Sequence, residues 1–165
     1  MSIWDLFRKR PDPIVIEDEL GTFVLEDPRK QRSYDGEIDW LGQEVSVTLY
    51  CDGGGSLAAD AALENLRKIT AKAAEWDQRL RQCAVEYAAG EDGSVEIWGD
   101  GTQSGEDELT ITTEEFLSRI SLGFISVYPN GGLYFDHDLD GMFTDHGLEI
   151  DADISGGISS VGLVG

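Results

Sequence analysis

The sequence predicts one α+β domain: a largely antiparallel sheet, built from strands near both ends of the chain, with a long helix, continuous or broken, packed on it. Three observations predict it. Apolar and polar residues alternate with period two over 34–40, 44–50 and 148–154. Between them, residues 57–89 repeat their apolar positions with a helical period. The chain has 165 residues, of which 41% are hydrophobic, enough for one buried core and too apolar for disorder.

Taken in order, residues 1–13 read as an N-terminal appendage and 14–165 as the domain. Ile3, Trp4, Leu6 and Phe7 precede Arg8, Lys9 and Arg10, an order and length wrong for a signal peptide. Ile14–Ile16 and Thr22–Leu25 are β-rich runs separated by Gly21. Tyr34–Trp40 and Glu44–Tyr50 follow, joined at Leu41-Gly42-Gln43, a hairpin turn. Ser56 suits a helix N-cap and Gly90 a helix stop. Ala62, Leu66, Ile69, Ala73, Trp76, Leu80, Cys83 and Tyr87 lie on one stripe of that helix. Unbroken, it would extend about 50 Å, more than a small domain's diameter. It therefore bends, overhangs the sheet or pairs with a second copy, leaving monomer and homodimer both open.

Residues 90–108 are rich in Gly and acids around Val95–Trp98 and read as a mobile loop or exposed hairpin. Thr112 and Glu115 form a capping box for a short helix at 113–119, with Ile111 and Phe116 at the spacing of a hydrophobic staple. Strands are expected at 122–128, 133–135, 148–154 and 158–164. Cys51 and Cys83 read as reduced, buried thiols, and His137 and His146 do not share a zinc spacing with them. The absence of a long apolar run excludes a membrane-spanning helix, and a cytoplasmic location is expected.

Charge is the strongest functional lead. The formal net charge is −21. Residues 82–165 hold one base, Arg119, against 17 acids, whereas residues 1–81 hold 11 bases and 16 acids. Such a field repels nucleic acid and anionic membranes and speeds encounter with basic proteins. The expected partner is therefore a basic protein. The residues expected to face it are Trp98, Asp100, Glu106, Asp107, Glu108, Asp138 and Asp140, an aromatic anchor among carboxylates.

Asp136-His137-Asp138-Leu139-Asp140-Gly141 begins like a calcium-binding EF-hand loop. Its twelfth position is Gly147 rather than Glu, Glu149 comes two residues late, and the flanks read as strands, so it is not an EF-hand. A looser calcium site would use Asp136, Asp138, Asp140 and Asp145. Asp145-His146 is a weak acid–base candidate. No Ser or Cys nucleophile stands out, so no catalytic residue and no cofactor are expected. Two rivals to a binding protein remain: a small metal-binding protein or enzyme built on Asp136, Asp138, Asp140 and His146, and a scaffold that dimerises through the 62–87 stripe.

Several segments resemble a bacterial family known as domain of unknown function 2262. They are Leu20–Leu25, Tyr34–Trp40, the Ala-rich helix leading to Glu75-Trp76-Asp77, Ile120–Gly131, and Met142-Phe143 to His146 before Ile150. The family pattern near the end reads glycine-histidine where this chain has Asp145-His146. The resemblance implies no established activity. Small families of this kind occur as immunity proteins beside secreted toxins, which makes a basic, nuclease-like toxin domain the most specific partner to expect.

Overall fold

The computed structural model describes residues 12–28, 32–51, 56–98 and 109–165. Eight strands form one sheet: β1 (Ile14–Asp18), β2 (Gly21–Leu25), β3 (Ser33–Trp40), β4 (Gln43–Tyr50), β7 (Ser121–Val127), β8 (Gly132–Asp138), β9 (Gly147–Asp153) and β10 (Ile158–Val164), side by side in that order. A small second sheet pairs β5 (Ser94–Ile97) with β6 (Leu109–Thr112). The helices are α1 (Ser56–Thr70), α2 (Ala73–Ala88) and α3 (Thr113–Arg119).

The sheet is mixed rather than wholly antiparallel. All neighbours run antiparallel except β4 and β7, which pair in parallel from Ser46↔Phe124 to Leu49↔Val127. A parallel pair needs a crossover, and here α1, α2, the small sheet and α3 supply it. The two halves of the chain thus meet in the middle of the sheet, with β1 and β10 at its edges. The β3–β4 hairpin turns on Leu41 (φ 56°) and Gly42 (φ 86°), the two left-handed residues that a tight two-residue turn requires. β6 was not expected from the sequence: Leu109–Thr112 is short and merges into the cap of α3.

The expected long helix is two helices. At the junction the Thr70 hydroxyl bonds back to the Leu66 carbonyl at 3.0 Å, and Lys72 N–H reaches Ile69 one residue short of the α-helical partner, at 3.0 Å. Lys72 itself leaves helical geometry (φ −126°, ψ 30°). The break lets the stripe follow the sheet instead of overhanging it. Ala62, Leu66, Ile69, Trp76 and Leu80 are all buried, and Trp76 lies 5.6 Å from the Phe135 ring of β8. Most of this stripe is therefore packed inside the domain. It leaves the core at its end, where Tyr87 is exposed. α2 stops because Ala89 is extended (φ −82°, ψ 139°), one residue before Gly90.

α3 begins as expected. The Thr112 side chain accepts from Glu115 N–H at 3.1 Å, and Ile111 and Phe116 are both buried. The core lies between the helices and one sheet face, around Phe23, Leu49, Leu66, Leu80, Ile125, Phe135 and Leu148. Cys51 is buried and Cys83 half-buried, both free thiols. His137 belongs to this layer: it is 3% exposed, and its Nδ1 has no hydrogen-bond partner among the described residues. Burial pushes its pKa down to about 4, so the ring is neutral in the folded protein.

Candidate functional site: an acidic sheet face with an apolar pocket beside it

Strand alternation sends every second side chain to the face opposite the helices. On β8, Leu133, Phe135 and His137 are buried, and Tyr134, Asp136 and Asp138 point the other way. The pairing register aligns such residues into rows across six strands. One row runs Glu37, Ser46, Phe124, Asp136, Glu149, Gly162. The next runs Asp35, Thr48, Ser126, Tyr134, Asp151, Ser160. Asp39, Glu44 and Asp153 extend the carboxylates toward the sheet margins. No strand of this sheet contains a Lys or Arg. The described bases lie elsewhere, with Arg67, Lys68, Arg79, Arg81 and Arg119 on the helices.

Some carboxylates on this face are held in place. Asp35 accepts from the Thr48 hydroxyl at 2.7 Å, and Asp151 from the Ser160 hydroxyl at 2.6 Å. The Tyr134 hydroxyl donates to Glu149, and burial together with that bond raises the Tyr134 pKa. The Tyr134 ring stands edge-on to Phe124 at 6.4 Å. Asp136 lies within this cluster, and burial, then the charges of Glu149 and Asp138, raise its pKa above the usual 3.8.

The Asp-rich motif forms the end of β8 and the turn after it. Asp138 Oδ1 accepts from Asp140 N–H at 2.7 Å, an Asx turn. Asp140 takes a left-handed conformation (φ 49°), followed by Gly141 (φ 69°). Its carboxylate pairs with Arg119 at 2.9 Å. Asp136, Asp138, Asp145 and His146 line one open recess of about 560 Å³, together with Ser46, Phe124 and Thr144. Asp145 is almost fully exposed, 3.7 Å from His146 Nδ1. That nitrogen lies nearer the Phe143 carbonyl, at 2.9 Å, and the Thr144 hydroxyl, at 3.0 Å. Among the described residues, no three His, Cys, Asp or Glu side chains converge closely enough to hold a metal ion.

Across the same turn lies an apolar pocket of about 240 Å³ lined by Tyr87, Ala88, Glu96, Trp98, Phe116, Leu139, Phe143, Leu148 and Leu163. Trp98 is 51% exposed, whereas Trp40, the other tryptophan beside a turn, is 2% exposed and part of the core. Trp98 N–H bonds to the Met142 carbonyl at 3.1 Å, and its ring meets Phe143 edge-on at 4.7 Å.

Of the residues expected to face a partner, Trp98, Asp138 and Asp140 gather around the 138–146 turn, though Asp140 is engaged by Arg119. Asp100, Glu106, Asp107 and Glu108 lie outside the described residues. The sequence reading missed Glu37, Phe124, Tyr134, Glu149 and Asp151 as parts of one face. Their alternation was visible; the neighbourhood of β4 and β7 that joins them was not.

A family model matches residues 17–163, and its description reads "uncharacterized protein conserved in bacteria" (DUF2262). The chain belongs to this family. The match begins within β1 and ends within β10, so it covers β2 to β9 in full and the positions that form both rows in this chain. Among curated proteins and solved structures nothing matches. No helix among the described residues is long and apolar enough to cross a membrane.

Proposed function

We propose that this chain is a non-enzymatic binding protein whose acidic sheet face holds a basic protein partner, in its most specific form an immunity protein that occupies the basic substrate groove of a secreted, nuclease-like toxin. The observation that carries the reading is the pair of cross-strand rows, in which Glu37, Asp136 and Glu149 join Asp35 and Asp151 on strands that contain no base. Each exposed ion pair formed there would contribute little, roughly 0–1 kcal/mol. A fixed array of them still steers encounter, rejects anionic competitors and sets register. A rigid sheet also presents its charges without the ordering cost of a loop.

The experiment is affinity capture on the immobilised protein from extracts of its source cells at low and high salt, beside a Glu37→Lys/Asp151→Lys variant. Both positions are exposed, so charge reversal leaves the core intact. A basic protein retained at low salt, released at high salt and lost by the variant is the expected result. Empty capture at low salt, or capture indifferent to charge reversal, would overturn the reading.

A second reading, a calcium-binding protein or small metal-dependent enzyme, draws on the recess that Asp136, Asp138, Asp145 and His146 share. With Asp140 drawn to Arg119, three carboxylates are left for an ion that takes six to eight oxygens. Calorimetric titration tests it: the absence of heat at millimolar calcium removes it.

A further inference from the structure

We infer that the apolar pocket on the helical side of the 138–146 turn, across that turn from the acidic recess, takes one large aliphatic or aromatic side chain of the basic partner, with Trp98 as its outer wall. This rests on the binding reading above and names the chemistry of the segment that would be bound.

Trp98 is held rather than loose. Its backbone is tied to Met142, and Phe143 meets its ring edge-on, yet about half of the residue faces solvent. A rigid, half-exposed indole beside a concave apolar floor is the usual form of an interface anchor site. The floor is made by Leu139, Phe143 and Leu148, all buried, with Leu163 at the side. At about 240 Å³ the pocket is smaller than a typical small-molecule site of roughly 300–1,000 Å³ and of a size for one side chain.

Charge selects the occupant. Glu96 is the one charged residue of the lining, and it is exposed. The chain holds no Lys or Arg between residues 82 and 118. A second copy of this chain, itself at −21, would be repelled from such a rim. A segment with a large apolar residue flanked by Lys or Arg satisfies both the floor and the rim.

The test uses two peptides of equal charge, Lys-Lys-Lys-Phe-Lys-Lys-Lys and its Ala-centred counterpart, titrated into the full chain at low salt by calorimetry, with tryptophan emission followed in parallel. The Phe peptide is expected to bind roughly tenfold tighter than the Ala peptide, the increment of one buried aromatic ring, and to shift the emission. In Trp98→Ala that preference should fall to about twofold, with the Ala peptide unaffected. Equal binding of the two peptides overturns the pocket and leaves the acidic-face reading standing. Binding of neither peptide overturns both. A Phe preference that survives Trp98→Ala places the apolar contact elsewhere and overturns the assignment.

Discussion

Arg119 is bonded twice to one residue, through Nε to the Asp140 carboxylate at 2.9 Å and through Nη2 to the Asp140 carbonyl at 3.0 Å. It is the one base after residue 81, and it is largely buried at the end of α3. It fixes Asp140 in its left-handed conformation and so ties α3 to the turn that separates the acidic recess from the apolar pocket.

Arg119→Ala is therefore expected to loosen that turn. Charge-assisted bonds contribute more than neutral ones, but the Asp140 carboxylate is well exposed, so the loss should be about 1 kcal/mol. Urea denaturation measures it. Hydrogen exchange should rise selectively over residues 139–146. An unchanged exchange pattern there would mean that the turn holds its shape without the arginine.

Acid should weaken the fold through His137. The ring is buried and its pKa is lowered from 6.5 to about 4, so the unfolded chain binds the proton more tightly. The stability that goes with the neutral ring is complete above pH 6.5 and is lost as pH falls through about 4, a change of about 3 kcal/mol. Urea midpoints measured from pH 7 to 4 should decline accordingly. In His137→Leu the proton uptake on unfolding should drop by about one over this window.

Asp136 has the opposite sign. Burial and its acidic neighbours raise its folded pKa above 3.8, so its charged form is a cost to the fold at neutral pH. That part of the stability is present below pH 3.8 and is lost as pH rises through the raised pKa. Asp136→Asn should raise the Tm at pH 7 by about 2 °C, a small gain because solvent still screens the group. The gain should vanish in scans below pH 3.8. Under the proposed binding role, a carboxylate that costs stability in the centre of this row is accounted for by binding rather than by folding.

The local devices were legible because neighbouring residues determine them. The Thr112 side-chain cap, which is half of the expected capping box, the hairpin at Leu41-Gly42 and the alternation of β3, β4 and β9 occur as expected. The helix break at Lys72 was not legible. The apolar stripe passes through Ala73 without interruption and no Pro or Gly marks the break, which falls where Thr70 bonds back to Leu66 and Lys72 leaves helical geometry. Burial of the two turn-flanking tryptophans was equally hidden. Trp40 and Trp98 have similar acidic surroundings in the chain, yet one ends a strand facing the helices and the other closes a pocket at the surface.

By itself the sequence determined the α+β class, the acidic balance and the concentration of that charge in the second half of the chain. Tertiary structure decided where the charge faces. The parallel pairing of β4 with β7 brings Glu37 of the first half into one row with Asp136 and Glu149 of the second. Arg67, Lys68, Arg79, Arg81 and Arg119, among the described bases, lie on the helices instead. Alternation sorts residues between the two faces of a strand, but which strands lie side by side depends on contacts distant in the chain, and only the folded sheet contains them.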